Sequence, residues 1–269
     1  MVVIIQMQFE FTITRLLQQL FSIFLGAQKL NLFKKTFFAL CLSIIFCSSS
    51  SFSKEEQEDI LYIDAGIFNL DGTIPPPPIP SSFEYKLEIE FMKNRIAKLS
   101  DAQKDLAIKD AVNESAGFFS DTLAGFDINK LPKTKSLFDK VKYNAGYEAK
   151  AFKNYFKTMR PYQADSDIQA CVAPKPSNLD RSYPSGHTTM GYAMGVVLAN
   201  LIPEKAKEIM ERSRLYGENR INCGAHFPSD VSGGQVLGTL VAKELLKNNE
   251  FQLLMKASKE ELTSAGLTY

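Results

Sequence analysis

Tryptophan is absent from the 269 residues, and histidine occurs only twice. Two histidines and four cysteines leave no cluster of His, Cys and carboxylates with the spacing of metal ligands. A basic excess is also missing. The formal net charge is +1, and the first 53 residues carry Arg15, Lys29, Lys34 and Lys35 against Glu10 alone. The remainder therefore holds 27 basic against 29 acidic residues, which excludes the electrostatic footprint of a nucleic-acid binder. After residue 53 no apolar run is long enough for a membrane span, so an enzyme built from several spans is excluded too. Alternating strand patterns and internal repeats are likewise missing.

What is present begins with an export-like segment. Lys29, Lys34 and Lys35 precede FFALCLSIIFC (37–47), an apolar run short for a span, and small residues follow. Cleavage is expected near Ser53; the competing reading is a membrane anchor reaching back through residues 16–27. Residues 1–28 are unusual ahead of such a segment and suggest an assigned start placed too far upstream. Removal of Cys41 and Cys47 with the leader leaves Cys171 and Cys223, an even pair in an oxidising compartment. They are expected to form a disulfide, the alternative being two buried thiols.

Domain organisation follows: a signal region over 1–53, an N-terminal arm with a polyproline strap (IPPPPIP) over 54–80, and a helical domain over 81–269. Ser81 with Glu84 and Ser100 with Gln103 read as capping boxes, opening helices over about 82–99 and 101–113. Leu137, Val141, Ala145, Ala149, Phe152 and Phe156 recur at three- and four-residue steps and predict a long amphipathic helix to about Met159. Further helices are predicted over 187–201, 203–218, 229–246 and 249–256. The fold class is all-α, a single-domain helical bundle.

Three segments carry chemistry. Lys153 and Arg160, seven residues apart, would share one face of the long helix about 10 Å apart, leaning together onto one anion. On its own such a pair is usually a solvated face. Pro184-Ser185-Gly186-His187 shapes a turn into a helix, where unpaired N–H groups and the dipole favour phosphate and a histidine can deliver a proton. Arg220 offers a planar fork for phosphate oxygens, and His226 lies four residues before Asp230, so that a carboxylate can hold one ring nitrogen and leave the other free to attack.

Lys153-x6-Arg160-Pro161, Pro184-Ser185-Gly186-His187 and Arg220-x5-His226-x3-Asp230, in this order, resemble the signature of the type 2 phosphatidic acid phosphatase (PAP2) superfamily. The SYPSGHT and CGAHFPSD contexts and the proline strap are similar to the secreted bacterial class A non-specific acid phosphatases, over about residues 60–257. The resemblance implies a fold of the PAP2/vanadium haloperoxidase type. It implies a metal-independent hydrolase of small phosphomonoesters with His226 as nucleophile, Asp230 as its orienter and His187 as general acid. Lys153, Arg160, Ser185, the Gly186 backbone and Arg220 would cradle the phosphate. It further implies a periplasmic or secreted protein without a cofactor, and points to a homo-oligomer. Asn219 departs from the pattern, where Ser often precedes the Arg, and could itself reach a phosphate oxygen. Two other readings stand beside this one: a vanadate-dependent haloperoxidase-like oxidoreductase, and a non-catalytic phosphate-binding protein.

Overall fold

The computed structural model describes residues 61–269, and among them there is no β-strand. The expected leader over 1–53, with Cys41, Cys47 and the expected cleavage point, lies outside the described residues. Eight α-helices are described: α1 (Phe83–Ala97), α2 (Asp101–Val112), α3 (Pro132–Phe156), α4 (Pro161–Ala164), α5 (Gly186–Leu201), α6 (Ala206–Asn222), α7 (Pro228–Leu245) and α8 (Asn249–Ser264). None is long and apolar enough to cross a membrane.

Local chemistry sets the helix ends. Ser100 and Gln103 form the expected box, Ser100 Oγ accepting from the Gln103 N–H at 3.3 Å while Gln103 Oε1 accepts from the Ser100 N–H at 2.9 Å. At α1 the cap falls one residue later than expected. Ser82 accepts from the Tyr85 N–H at 3.2 Å, and Ser81 turns the chain with φ 73°. The segment expected as one helix from 203 opens as a 3₁₀ turn, Pro203–Lys205, before α6 begins. α8 continues past 256 because Met255, Ser258 and Leu262 prolong its buried face.

α5 is the axis of the molecule. Met190, Ala193, Met194, Val197, Leu198 and Leu201 are buried around it, as expected of a helix enclosed by others. It is surrounded by α3, α6 and α7, with α8 against α3 and α2 against α6. Gly195 allows α6 its close approach, since a Cβ there would stand 2.1 Å from Ser213 Oγ. The arm joins the body: Ile63, Phe68 and Ile74 enter the main core, and the Tyr62 N–H donates to Asn144 Oδ1 at 2.9 Å. Tyr183 reaches the strap through a hydrogen bond from its hydroxyl to the Pro75 carbonyl. The last turns of α3 and α6 and the first turns of α5 and α7 meet at one end of the bundle.

Candidate active site

That end holds a cavity of about 430 Å³, lined among others by Lys153, Arg160, Gly186, His187, Arg220 and His226. Six of the residues singled out in the sequence thus share one wall system. Ser185 is fully buried at the start of α5, and Asp230 is buried behind His226.

The two cations of the first segment come from different elements, which corrects the single-helix expectation. α3 stops at Phe156 because Lys157 takes the left-handed conformation, φ 50° and ψ 53°. Pro161 disfavours helical backbone at the residue before it, so Arg160 is extended (φ −81°, ψ 157°) and stands as the N-cap of α4. Lys153 and Arg160 still converge, because both are tied to one strand of loop. Lys153 Nζ donates to the carbonyls of Arg181 and Ser182 at 2.7 and 2.9 Å, and Arg160 Nη2 to Arg181 at 3.2 Å.

His226 is held from three sides. After α6 the chain reverses through Gly224 (φ +65°), where a Cβ would lie 2.4 Å from the Gln169 carbonyl oxygen, so this turn needs glycine. The reversal returns the N–H groups of Ala225 and His226 to the Arg220 carbonyl at 3.0 and 3.3 Å. Cys171 and Cys223 form the expected disulfide, with Cα atoms 4.7 Å apart, and the Cys171 N–H donates to the Cys223 carbonyl at 2.8 Å. The loop carrying Gln169 is thereby fastened to the turn.

Asp230 is the third residue of α7 and its Oδ2 receives three donors: the Phe227 N–H at 2.8 Å, His226 Nδ1 at 3.2 Å and the Ser182 hydroxyl. A carboxylate can only accept, so Nδ1 of His226 carries the proton. On the other side Arg160 Nη1 lies 2.9 Å from His226 Nε2 and 3.0 Å from the Ala225 carbonyl. Ser182 was not visible as a site residue in the sequence. Its only signal is a hydroxyl two residues ahead of Pro184, and its partner lies 48 residues away.

The turn into α5 is pinned to the same helix, because the Ser185 N–H donates to the Asp230 carbonyl at 2.9 Å. Gly234 on α7 makes the room; a Cβ there would lie 2.8 Å from the Ser185 carbonyl oxygen. Ser185 Oγ accepts from the Thr188 N–H and hydroxyl, which leaves its own proton free, and the Gly186 and His187 N–H groups open the helix. His187 Nε2 lies 3.2 Å from the Ala111 carbonyl and 3.6 Å from Glu114 Oε1. The carbonyl fixes a proton on Nε2, leaving Nδ1 as the other ring position.

Asn219 does not face the cavity. Its Nδ2 donates to Asp110 Oδ2 at 2.8 Å and its Oδ1 accepts from Asn222, so the idea that it reaches a phosphate oxygen is replaced by a structural role. Asp110 also grips Arg212 through bonds of 2.6 and 3.0 Å. Through Asp110 and Ala111, α2 supports both α6 and His187.

The electrostatics of the cavity suit an anion. Buried without partners among the described residues are Arg220 Nε and Nη1 and Arg160 Nε, a costly state for cationic donors. Burial pushes Lys153 well below its ordinary range, with Arg160 adding to it, and lowers Arg220 to about 10. His226 and His187 are also driven down, by burial first, then by Arg160 for His226 and Arg220 for His187. Burial raises Asp230, opposed by the Ser182 and Phe227 donors. A bound anion would relieve every one of the cationic strains.

Comparison with known proteins identifies the family. A family model described as the PAP2 superfamily matches residues 143–252, a span containing all the cavity residues named above. The acid phosphatase of Zymomonas mobilis is 32% identical over 197 residues, 71% of this chain and 74% of that protein. The non-specific acid phosphatase of Salmonella typhimurium is 33% identical over 199 residues, covering 70% and 78% respectively. Among solved structures, that of Aquifex aeolicus LpxE superposes with a TM-score of 0.50 at 19% identity, covering 64% of this chain and 99% of that one, a likeness of fold alone. The chain belongs to the PAP2 superfamily, alongside the bacterial acid phosphatases.

Proposed function

We propose that this phosphatase, a phosphoric monoester hydrolase, works through a phosphohistidine on His226 without a metal ion. The observation that carries the reading is the setting of the imidazole: Nδ1–H on Asp230, and Nε2 with its lone pair beside Arg160 in a cavity of unsatisfied guanidinium donors.

The phosphate of a small monoester would occupy the space between Lys153, Arg160, Arg220 and the Gly186 and His187 N–H groups. These donors stabilise the charge that spreads over the equatorial oxygens as transfer proceeds. Nε2 of His226 attacks phosphorus, the P–O ester bond breaks, and the departing oxygen takes the Nδ1 proton of His187, which enters the step as an imidazolium with its Nε2 proton kept on the Ala111 carbonyl; bound phosphate, by offsetting Arg220, favours that charged form. Asp230 stabilises the ring as it becomes positive. Water then attacks the phosphohistidine, His187 accepts its proton, and the P–N bond breaks to release phosphate.

The disulfide and the leader-like segment ahead of residue 54 support export to an oxidising compartment, periplasmic or secreted. Intact mass of exported protein should show a leader removed near Ser53. The activity is tested by rapid quench with a ³²P-labelled monoester in EDTA. Acid-labile, alkali-stable label on the peptide containing His226 is expected; stable turnover with no protein-bound label would overturn the covalent route.

A further inference from the structure

Beyond Lys153, Arg160 and Arg220, four more cations line the cavity, Lys142, Lys150, Lys175 and Arg181, against a single acid, Glu114. Lys142 is already matched by that acid at 3.1 Å. The others are not. Lys150 and Lys175 are exposed and have no ion pair among the described residues, and the Arg181 side chain donates only to the neutral Asn154. Arg181 is nevertheless anchored at the cradle, since its carbonyl accepts from Lys153 and Arg160. Lys150 precedes Lys153 on α3 by about 4.5 Å of helix rise. Between them and Lys142 the helix surface is open: a Cβ on Gly146 would meet nothing within 4 Å.

A monoester dianion can offset two of the three cradle charges, which leaves the rim unmatched. The residues after 53 carry more acids than bases, so this concentration of positive charge is local and sits in a concave site, where fields are focused. We infer that Lys150, Lys175 and Arg181 form a second anion subsite, selecting phosphomonoesters whose organic part bears another phosphate. The inference rests on the phosphatase reading of the same cavity. The first phosphate lies in the cradle and reacts; the second meets the rim and is not cleaved in that orientation.

The test compares fructose 1,6-bisphosphate, fructose 6-phosphate and p-nitrophenyl phosphate at low and high salt, with wild type and a Lys150→Ala/Lys175→Ala double variant. At low salt kcat/KM for the bisphosphate should exceed that for the monophosphate about tenfold, mainly through KM, and added salt should erode the difference. The double variant should lose most of this preference while hydrolysis of p-nitrophenyl phosphate stays within about twofold. Absence of the preference in wild type, or its survival in the double variant, overturns the subsite. Calorimetric titration of both sugar phosphates into His226→Asn reads the same preference without turnover, and equal affinities would overturn it as well. Failure of wild type to hydrolyse p-nitrophenyl phosphate would instead overturn the activity reading, with the titration still deciding the subsite.

Discussion

Nε2 of His226 lies 2.9 Å from Nη1 of Arg160, and because a guanidinium can only donate, the ring nitrogen must be unprotonated and turn its lone pair to Arg160 at the cavity wall. His187, by contrast, has its Nε2 occupied by the Ala111 carbonyl. The two histidines should therefore fail differently. His187→Asn should cost about 10²- to 10⁴-fold for esters of poorly acidic alcohols and much less for aryl phosphates, whose leaving groups need little protonation. His226→Asn should abolish phosphoenzyme for all substrates alike. Equal leaving-group dependence in the two variants would reverse these assignments.

Ser182→Ala removes one of three donors from the buried Asp230 Oδ2 and leaves the other two in place. A fall in kcat of about 10- to 100-fold is expected, with the fold intact by circular dichroism. The hydroxyl holds the Asp230 carboxyl down, so its loss should also move the acidic limb of the pH–rate profile upward. Ser182→Thr, which keeps the donor, should recover part of both effects.

Acid should weaken the unliganded protein. His187 and His226 are held neutral when folded, below their ordinary value of 6.5, so under that pH the unfolded chain binds more protons and stability falls as pH drops. Inorganic phosphate, by offsetting the neighbouring cations, should restore the loss. Thermal melts by circular dichroism from pH 8 to 5, with and without phosphate, check this. An unliganded melting temperature that rises steadily toward pH 5 would contradict it. In turnover the same groups predict a bell-shaped profile, declining on the alkaline side as His187 loses its proton.

Vanadate should compete with substrate, because its five-coordinate adduct on His226 matches the geometry that Lys153, Arg160 and Arg220 surround. EDTA should leave initial rates unchanged. Activity lost to EDTA and regained with a divalent metal would show that the cradle works with an ion after all.

Asp110→Ala removes both short carboxylate bonds from the buried guanidinium of Arg212, leaving it the Phe118 carbonyl at 3.0 Å and Asp121 at 3.9 Å, and both Asp110 and Arg212 are at most 5% exposed. A loss of about 3–5 kcal/mol in unfolding free energy is expected from denaturant titration. Activity should fall too in the folded fraction, since Asn219, next to Arg220, loses its anchor.

The helices were legible because their signals are local. Periodic apolar positions marked α3, and Ser100 with Gln103 marked the start of α2. The ends were less so: a lysine at Lys157 in the left-handed region gives no sequence signal such as glycine would, and the long helix was accordingly extended too far. The cavity residues were legible as types at characteristic spacings. Their supports were not, since Ser182, Asp110 and the Ala111 carbonyl act on partners 48 to 109 residues away, and nothing in a local pattern encodes such distances.

The unpartnered nitrogens of Arg160 and Arg220 bear on more than substrate capture. Whatever satisfies them best while making the fewest other demands is free phosphate, the species every cycle leaves behind. The protein then contains its own governor. Turnover should slow as phosphate accumulates and recover as it is removed, with no separate regulatory site required.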